Sequence, residues 1–351
     1  MTSLVFTLLC LFSTAPAPWE PARLPSWSPE ASARIDQWIR AVTTPGPWYI
    51  PRSARIAALD LDGTLIVEKP DYFHGQVSKA FVRRRAARDP SLATNPLVRA
   101  VLDNDDKTLL KNLKEFLLFS MENETAETVR DFSVKTGREA LNPLFGRPAA
   151  ELVYLPMIEL IEALRIRGFE VFIITTAQQD VVQAFLWDTL RIEPHHVIGS
   201  GVSYDWDFVA GVGRRGKKFI EPLCHGAGKP ARIWDRIGAW PVFAAGNSTN
   251  DVDMLSSTAM SGYLTLNLAI EHDHPDEAVY GKPEFLEIAK KHGWMIVSMK
   301  RDFLRLWGRP SPETVSRPQS PRLAAGWWIL WLGATGVALG AVLLVRRRRR
   351  N

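Results

Sequence analysis

The feature that most constrains the fold of this chain is the segment RIAALDLDGTL, residues Arg55–Leu65. An apolar strand pattern ends on Asp60, and Asp62 follows just before Gly63 and Thr64 turn the chain. Two carboxylates so placed on a tight turn can converge on one small volume, where a divalent cation would offset their repulsion. Such a pair supplies a nucleophile and a proton donor, which phosphoryl transfer through a covalent intermediate requires. The alternative interpretation is a helix-capping aspartate followed by an ordinary turn.

The chain from residue 56 to about residue 303 alternates short apolar strands with amphipathic helices. This alternation predicts an α/β domain with a doubly wound, Rossmann-like parallel sheet. The predicted strands are Ile56–Asp60, Val171–Thr175, Val242–Gly246, Tyr263–Asn267 and Met295–Met299. Helices are predicted at Pro29–Val42, ahead of the first strand, and at Val77–Arg88, Pro96–Leu102, Thr108–Met121 and Thr125–Ala140. Because no strand pattern interrupts the last four, we expect a helical cap, about residues 69–150, inserted over the sheet.

The C-terminal end of the chain indicates a membrane anchor. The apolar segment Ala324–Val345 has no charged residue, and as a helix it reaches roughly 33 Å, enough to cross a bilayer. We therefore predict a transmembrane helix at 323–345, preceded by a Pro-rich linker at 307–322 and followed by a basic cytoplasmic tail at 346–351. Under the positive-inside rule the folded part at 18–306 lies outside the cytoplasm, on the periplasmic side of a bacterial inner membrane. The alternative interpretation of this segment is a helix buried in the protein core.

Two weaker signals accompany this anchor. The apolar run Val5–Phe12 and the small residues at 15–17 predict a signal peptide at 1–17, although the usual positive n-region is absent. An uncleaved anchor or a mis-assigned start codon is the alternative. Gly336 and Gly340 have the G-x-x-x-G spacing that can dimerise membrane helices, so a weak homodimer is one expected partnership; small residues are also common in such segments.

Charge and cysteine content exclude other classes of protein. The formal net charge of +5 equals the charge of the arginine block 346–350, so the rest of the chain is balanced. A nucleic-acid-binding protein spreads basic residues over a folded face, so no nucleic-acid partner is expected. The chain has 2 cysteines, Cys10 and Cys224, which cannot form a disulfide framework or a cysteine zinc site.

Three further motifs follow predicted strands or open helices. Thr175 ends an apolar strand, where a hydroxyl and the exposed N–H groups of the next helix can bind a phosphate oxygen. Lys229 lies in the turn GAGKP, where an ammonium can neutralise phosphate. The sequence AGNSTNDVDML places Asn247 and Asp251 in a polar loop at a strand tip, and ligands bind at the carboxyl ends of the strands of such sheets.

These four motifs, in this order, resemble the haloacid dehalogenase superfamily, in particular its phosphoserine-phosphatase-like branch with a helical cap. The resemblance covers roughly residues 56–303. It implies a magnesium-dependent phosphatase that hydrolyses a small phosphorylated substrate, a phosphoric monoester, in the domain 18–306. It also implies that Asp60 attacks phosphorus and that Asp62 protonates the leaving oxygen and then activates water.

The same resemblance implies the ligand-binding residues. Thr175 and Lys229 would hold and neutralise the phosphoryl group. Mg²⁺ would bind the carboxylate of Asp60, the backbone carbonyl of Asp62 and the loop that contains Asn247 and Asp251, in keeping with its preference for oxygen ligands. The family usually has Asp at the position of Asn247. Because Asn supplies an oxygen but no charge, we expect weaker metal binding than in those relatives.

Other candidate residues have two interpretations each. Glu68 follows the nucleophile by eight positions and can face a substrate amine or be a surface acid at a helix start. The stretch 271–277 contains acids and histidines that suggest a metal site, but a solvated loop is the expected structure. Tyr72 and Phe73 either line the substrate face of the cap or pack its helices.

Two alternative functions use the same residues. The first is a phosphotransferase, which would transfer the phosphoryl group to an acceptor other than water. The second is a membrane-tethered, non-catalytic binding module on a degenerate fold, for which Asn247 is the support in the sequence.

Overall fold

The computed structural model describes residues 19–308. Its helices are α1 Pro29–Thr43, α2 Phe73–Arg88, α3 Pro96–Leu102, α4 Asp106–Lys111, α5 Leu113–Ser120, α6 Ala126–Glu139, α7 Leu155–Ile166, α8 Gln179–Leu190, α9 Gly228–Ile237, α10 Val252–Ser257, α11 Pro283–Lys291 and α12 Met299–Asp302. Its strands are β1 Ile56–Leu59, β2 Glu170–Gln178, β3 Val197–Ser200, β4 Val202–Asp207, β5 Val212–Phe219, β6 Phe243–Gly246, β7 Leu266–Glu271 and β8 Met295–Ser298.

The core is a six-stranded parallel sheet with the strand order β3-β2-β1-β6-β7-β8. Strand β1 lies centrally, and every residue of β1 and β6 is buried, as expected when helices cover both faces of a parallel sheet. The chain reverses its direction across the sheet at β1, so β2 and β6 lie on either side of it. The carboxyl ends of these three strands therefore open one crevice, and the doubly wound prediction is confirmed.

The N-terminal helix α1 packs against this core. Ser28 caps it by accepting a hydrogen bond from the backbone of Ala31, and a proline occupies its first turn. Trp38 on its buried face packs against Phe169 and Phe243, with ring centroids 5.5 and 5.7 Å apart. The predicted helix Pro29–Val42 is thus confirmed to within one residue.

Several sequence-based boundaries are wrong. The predicted strand Tyr263–Asn267 begins only at Leu266, because the carbonyl of Leu264 accepts a hydrogen bond from the Trp38 indole (3.1 Å) instead of pairing with a strand. The predicted helix Thr108–Met121 is two helices, since Asn112 leaves helical geometry (φ −114°, ψ 33°). Strands β3, β4 and β5 were not predicted. Strand β5 is largely polar and lacks the alternation that identifies a strand, whereas Val202, Tyr204 and Trp206 of β4 alternate with polar residues, a signal that was overlooked.

The cap consists of two parts. Helices α2 to α6 form the predicted helical insertion between β1 and β2, and within the described residues no strand lies among them. The antiparallel hairpin β4–β5, inserted between β3 and α9, joins this helical part: Arg215 donates its backbone N–H to Glu124, and Asn123 donates to Arg215 (2.9 and 2.8 Å). Phe219 also packs against the cap's own hydrophobic cluster, which includes Leu117.

The predicted signal peptide and membrane anchor lie almost wholly outside residues 19–308. Across residues 19–308, none of the helices combines the length and the apolar character that crossing a bilayer requires. The predicted signal peptide at 1–17, nearly all of the linker at 307–322, the transmembrane helix at 323–345 and the tail at 346–351 lie outside the described residues.

Candidate active site

The carboxyl edge of the sheet brings the predicted charged residues together. Asp60 follows β1 and donates its backbone N–H to Ala245 of β6 (2.9 Å), which fixes its place at the strand tip. Lys229, in the first turn of α9, donates from Nζ to Oδ1 of Asp60 (2.6 Å) and to Oδ1 of Asp251 (2.5 Å). Asp60 and Asp251 therefore share the buried ammonium of Lys229, although they lie 169 and 22 positions away from it along the chain.

Asp251 is held by the loop that carries it. Its Oδ2 accepts hydrogen bonds from the backbone N–H groups of Asn247 and Ser248 (3.1 and 3.0 Å) and from the Ser248 hydroxyl (3.1 Å). Gly246 is needed at the strand end, because a Cβ there would lie 2.5 Å from the Cβ of Asp251. The loop thus presents Oδ1 of Asp251 to Lys229 in one orientation.

Burial and charge determine the protonation of this cluster. Burial by itself lowers the pKa of Lys229, but the charges of Asp251 and Asp60 outweigh it and hold the pKa above its usual value. Burial, and next the charge of Asp251, raise the pKa of Asp60 to about 7, while Lys229 opposes this rise. Lys229 is therefore charged, and a further cation beside Asp60 would favour its carboxylate form.

Asp62 has a different environment from Asp60. It is buried at the cavity wall, and among residues 19–308 its Oδ1 finds no hydrogen-bond partner. Burial, followed by the charges of Asp60 and Glu68, raises the pKa of Asp62 well above its usual value. Two carboxyl groups in such different environments, one paired with Lys229 and one without a partner, are suited to the separate tasks of nucleophile and proton donor.

Thr175 lies near the carboxyl end of β2 and lines the same cavity as Asp60 and Asp62. Its hydroxyl oxygen accepts a hydrogen bond from the backbone N–H of Ala177 (3.0 Å), which orients the side chain. Its neighbour Thr176 accepts from Asn250 (2.9 Å) and so ties β2 to the Asp251 loop. Thr175 therefore lies beside the acids at the sheet edge, and its role in binding phosphate stays a prediction.

The side chains around Asp60 fit a magnesium ion by their chemistry. Asp60 and Asn247 provide a carboxylate and an amide oxygen, and Asp62 can add its backbone carbonyl, at the same end of the sheet; oxygen is the ligand that Mg²⁺ prefers. The unpartnered Oδ1 of Asp62 shows that the site has a buried polar atom in need of a partner. Asn247 lies directly against Gly63: a Cβ atom added to Gly63 would be only 2.0 Å from Nδ2 of Asn247, so a larger residue does not fit there.

A hydrogen-bonded network behind Asn247 was not recognised in the sequence. Nε2 of His272 lies 2.8 Å from the carbonyl oxygen of Gly63 and 3.3 Å from Nδ2 of Asn247. Nδ1 of His272 lies 2.8 Å from Glu277, which in turn accepts a hydrogen bond from Tyr154 (2.9 Å). The expectation of a solvated loop at 271–277 is wrong for His272 and Glu277, since both are buried. These residues orient the aspartate turn and Asn247.

The remaining candidates line or support the cavity. Glu68 is buried and faces the cavity, so its interpretation as a surface acid is wrong. Tyr72 also lines the cavity, whereas Phe73 packs the cap against α8 through Phe185, with ring centroids 4.1 Å apart. No pattern in the sequence distinguished the two aromatic residues, because both lie next to each other at the start of α2.

A cavity of about 680 Å³ lies between the sheet edge and the cap. Its floor contains Asp60, Asp62 and Thr175, and its roof is contributed by α5 and by the segment that follows β5. The cluster of acids and Lys229 is thus placed at the base of a partly open cavity that can hold a small molecule.

Comparison with known proteins assigns the family. The profile described as HAD, haloacid dehalogenase-like hydrolase, matches residues 57–256. A search of curated proteins finds no match. Among solved structures, the chain is similar to a conserved protein of unknown function from Anaerococcus prevotii DSM 20548, with 16% identity and a TM-score of 0.53 over 79% of this chain and 93% of that one.

Two further solved structures are similar at lower scores. A protein with unknown function from Bordetella pertussis Tohama I has 17% identity and a TM-score of 0.47, over 69% of this chain and 97% of its own. A phosphoserine phosphohydrolase-like protein from Francisella tularensis subsp. tularensis SCHU S4 has 16% identity and a TM-score of 0.37, over 71% and 95%. At these identities the Anaerococcus structure supports the fold, while the profile covers more than half of the chain. The protein belongs to the haloacid dehalogenase-like hydrolases.

Proposed function

We propose that this hydrolase is a magnesium-dependent phosphatase that cleaves a small phosphomonoester through an aspartyl-phosphate intermediate. The observation that carries the proposal is the Lys229 ammonium shared by Asp60 and Asp251 at the base of the cavity, beside the unpartnered carboxyl of Asp62. The helical insertion between β1 and β2 supports placement in the phosphoserine-phosphatase-like branch.

The first half of the reaction uses the two unequal carboxyl groups. A carboxylate oxygen of Asp60 attacks phosphorus, and the bond between phosphorus and the alcohol oxygen breaks. Asp62, whose pKa burial raises well above its usual value, gives its proton to the departing alcohol. Lys229 and the Thr175 hydroxyl bind the equatorial oxygens of the phosphoryl group, where charge is spread in the transition state.

The second half returns the enzyme to its starting state. Asp62, now a carboxylate, takes a proton from a water molecule, which attacks phosphorus as the Asp60–phosphorus bond breaks. Inorganic phosphate then leaves. The carboxylate of Asp60, the carbonyl of Asp62 and the side chain of Asn247, with Asp251 behind them, would hold Mg²⁺, which supplies positive charge for the phosphoryl oxygens.

Phosphate release from p-nitrophenyl phosphate by the full-length chain tests this proposal, with Mg²⁺ and with EDTA. We expect magnesium-dependent release that Asp60→Asn abolishes while the circular dichroism spectrum is unchanged. Release that survives Asp60→Asn would contradict the mechanism. Absence of release by the wild type, with intact folding, would favour the non-catalytic binding module.

We further propose that the predicted helix at 323–345 holds the domain at the outer face of the cytoplasmic membrane, where it would recover phosphate from external esters. This placement is supported by the apolar segment and the arginines at 346–350 of the sequence. Protease treatment of spheroplasts tests it: digestion of the domain in intact spheroplasts is expected, and its protection there would contradict the orientation.

A further inference from the structure

We propose that the substrate's alcohol is an uncharged or cationic group with a sizeable apolar part, and that the cavity rejects alcohols carrying a second anionic group. The inference rests on the proposed phosphatase function and names the class of its substrate. It is carried by the size of the cavity, the apolar character of its roof and the distribution of charge along its wall.

The size of the cavity exceeds what a phosphate and a two- or three-carbon alcohol need. Its volume of about 680 Å³ lies within the range of roughly 300–1,000 Å³ that is typical of sites for much larger ligands. The phosphoryl group must lie at the floor, beside Asp60 and Lys229, because its nucleophile is there. The remaining space, toward the cap, is available to the alcohol.

The roof over this space is apolar. Helix α5 contributes Leu113 and Leu117, and Phe219 and Leu223 come from the end of β5 and the segment after it. Phe219 is half-buried and Leu113 is 40% exposed, so both still have apolar surface that a ligand can cover. Covering it contributes roughly 25 cal/mol for each Å² removed from water, which favours an alcohol with an apolar part.

The charges of the wall disfavour an anionic alcohol. Asp62 and Glu68 lie at the inner end, and Glu221 lies near the mouth. Of the described residues that line the cavity, Lys114 alone is a lysine or arginine, and its side chain is 69% exposed and 3.9 Å from Glu221. Lys229 is already shared by Asp60 and Asp251. Lys69 lies 3.1 Å from Glu68 and is likewise paired with an acid. A second anion on the substrate would therefore be buried near acids whose neighbouring cations are already paired, which is costly.

His74 adds no cation to the inner wall. The ring lines the cavity and is 8% exposed, and Nδ1 has no hydrogen-bond partner among residues 19–308. Burial lowers the pKa of His74 to about 4, so the imidazole is neutral at physiological pH. It contributes a polar but uncharged surface, which tolerates a neutral alcohol and does not attract a carboxylate.

Three matched esters of primary alcohols test the inference: 2-phenylethyl phosphate, phosphoethanolamine and phosphoserine. Phosphoserine differs from phosphoethanolamine by one carboxylate, and 2-phenylethyl phosphate replaces the ammonium by a phenyl ring. For the full-length wild type we expect kcat/KM to decrease in the order given, with about tenfold or more between the first and the last. A preference for phosphoserine, or equal values for the three, would overturn the inference but not the phosphatase function.

A charge placed in the roof makes the test independent of the wild-type ranking. Leu113→Lys should raise kcat/KM for phosphoserine several-fold and lower it for 2-phenylethyl phosphate. Leu110→Lys is the matched control, since Leu110 is 66% exposed and is not part of the cavity wall. Unchanged selectivity of a folded Leu113→Lys variant would contradict the proposed role of the roof.

Removal of apolar surface gives a second, milder variant. Phe219→Ala should lower kcat/KM for 2-phenylethyl phosphate by about tenfold and change phosphoethanolamine little, while Phe208→Ala, at an 88% exposed position, should change neither. Equal losses for both esters would overturn the inference. If no ester, including p-nitrophenyl phosphate, is hydrolysed by the wild type, the phosphatase proposal itself fails together with this one.

Discussion

The catalytic floor and the cap roof of the cavity differ in how their side chains are stabilised. The floor contains Asp60, Asp62 and Thr175, and Asp60 belongs to a set of buried charges with Lys229 and Asp251, joined by hydrogen bonds of 2.5 and 2.6 Å. The roof contains Leu113, Leu117, Phe219 and Leu223 from two separate insertions of the chain, and Leu113 and Phe219 among them are partly exposed. Hydrogen bonds therefore fix the positions of the floor side chains, whereas the roof determines only the polarity and the volume of the space above them.

This difference separates chemistry from selectivity. Removing one partner of a buried charged cluster leaves the others uncompensated and destabilises the protein strongly, so the floor tolerates few substitutions. Replacing a half-exposed apolar residue changes the free energy of unfolding little. Substitutions in the roof can therefore alter the substrate preference without loss of the fold.

The largest effect is expected from Lys229→Met. The loss of the ammonium leaves Asp60 and Asp251 buried with like charge and removes a contact to the phosphoryl group, so we expect activity to fall by roughly 10³-fold and the unfolding midpoint to fall as well. Lys217→Met is the control, since its side chain is 76% exposed and pairs with Glu122 at the surface. Activity of Lys229→Met within tenfold of the wild type would refute the role of the floor.

A smaller loss is expected from His272→Gln. This histidine contacts the Gly63 carbonyl and Asn247, and such supporting groups typically contribute 10- to 100-fold to metal affinity or activity. We expect the Mg²⁺ concentration for half-maximal activity to rise within about that range. His292→Gln, on the exposed surface, is the control. An unaltered magnesium requirement would show that the network behind Asn247 is merely structural.

His74 connects the cap to pH-dependent stability. Its folded-state pKa of about 4 is lower than its ordinary 6.5, so the unfolded chain binds the proton more readily. Stability is therefore lost as pH falls from about 6.5 toward 4, and the loss from this group reaches about 2 kcal/mol at pH 5. Denaturant unfolding of His74→Phe should show a smaller decrease between pH 7 and pH 5 than the wild type. Identical slopes would argue against a buried neutral imidazole.

The smallest effect is expected from Asn247→Asp. An added carboxylate beside Asp60 and Asp62 should bind Mg²⁺ several-fold more tightly and repel these acids when the metal is absent. Isothermal titration with Mg²⁺, and the thermal midpoint with and without the ion, measure both consequences. Asn247→Ala is the matched variant without an oxygen ligand and should bind more weakly. A magnesium affinity that Asn247→Asp leaves unchanged would contradict a ligand role for this position.

Local patterns accounted for the floor because each of its residues adjoins a strand or helix with a clear signature. Asp60 and Thr175 lie at or near the ends of apolar strands, Lys229 opens an amphipathic helix, and Asp251 follows Gly246 in a polar loop. In a parallel sheet the carboxyl ends of such strands meet at one edge, so their convergence follows from the fold class. The contacts of Lys229 with Asp60 and Asp251 confirm it.

The roof and the support behind Asn247 had no comparable signature. Strand β5, which ends at Phe219, is largely polar, and its backbone joins the helical cap through Asn123 and Glu124. His272 lies in a segment rich in charges, and its burial results from contacts with Gly63 and Tyr154, which are more than a hundred positions away.

The sequence by itself determined the parallel α/β sheet, the order of the four motifs and the identity of the charged residues at the strand ends. These features depend on periodicity and on turn-forming residues that act over a few positions. Only the tertiary structure decided that Glu68 is buried, that the cavity has an apolar roof and that His272 supports Asn247. Burial and pairing of this kind arise from contacts between distant segments, and their energies depend on the surroundings that the whole fold creates.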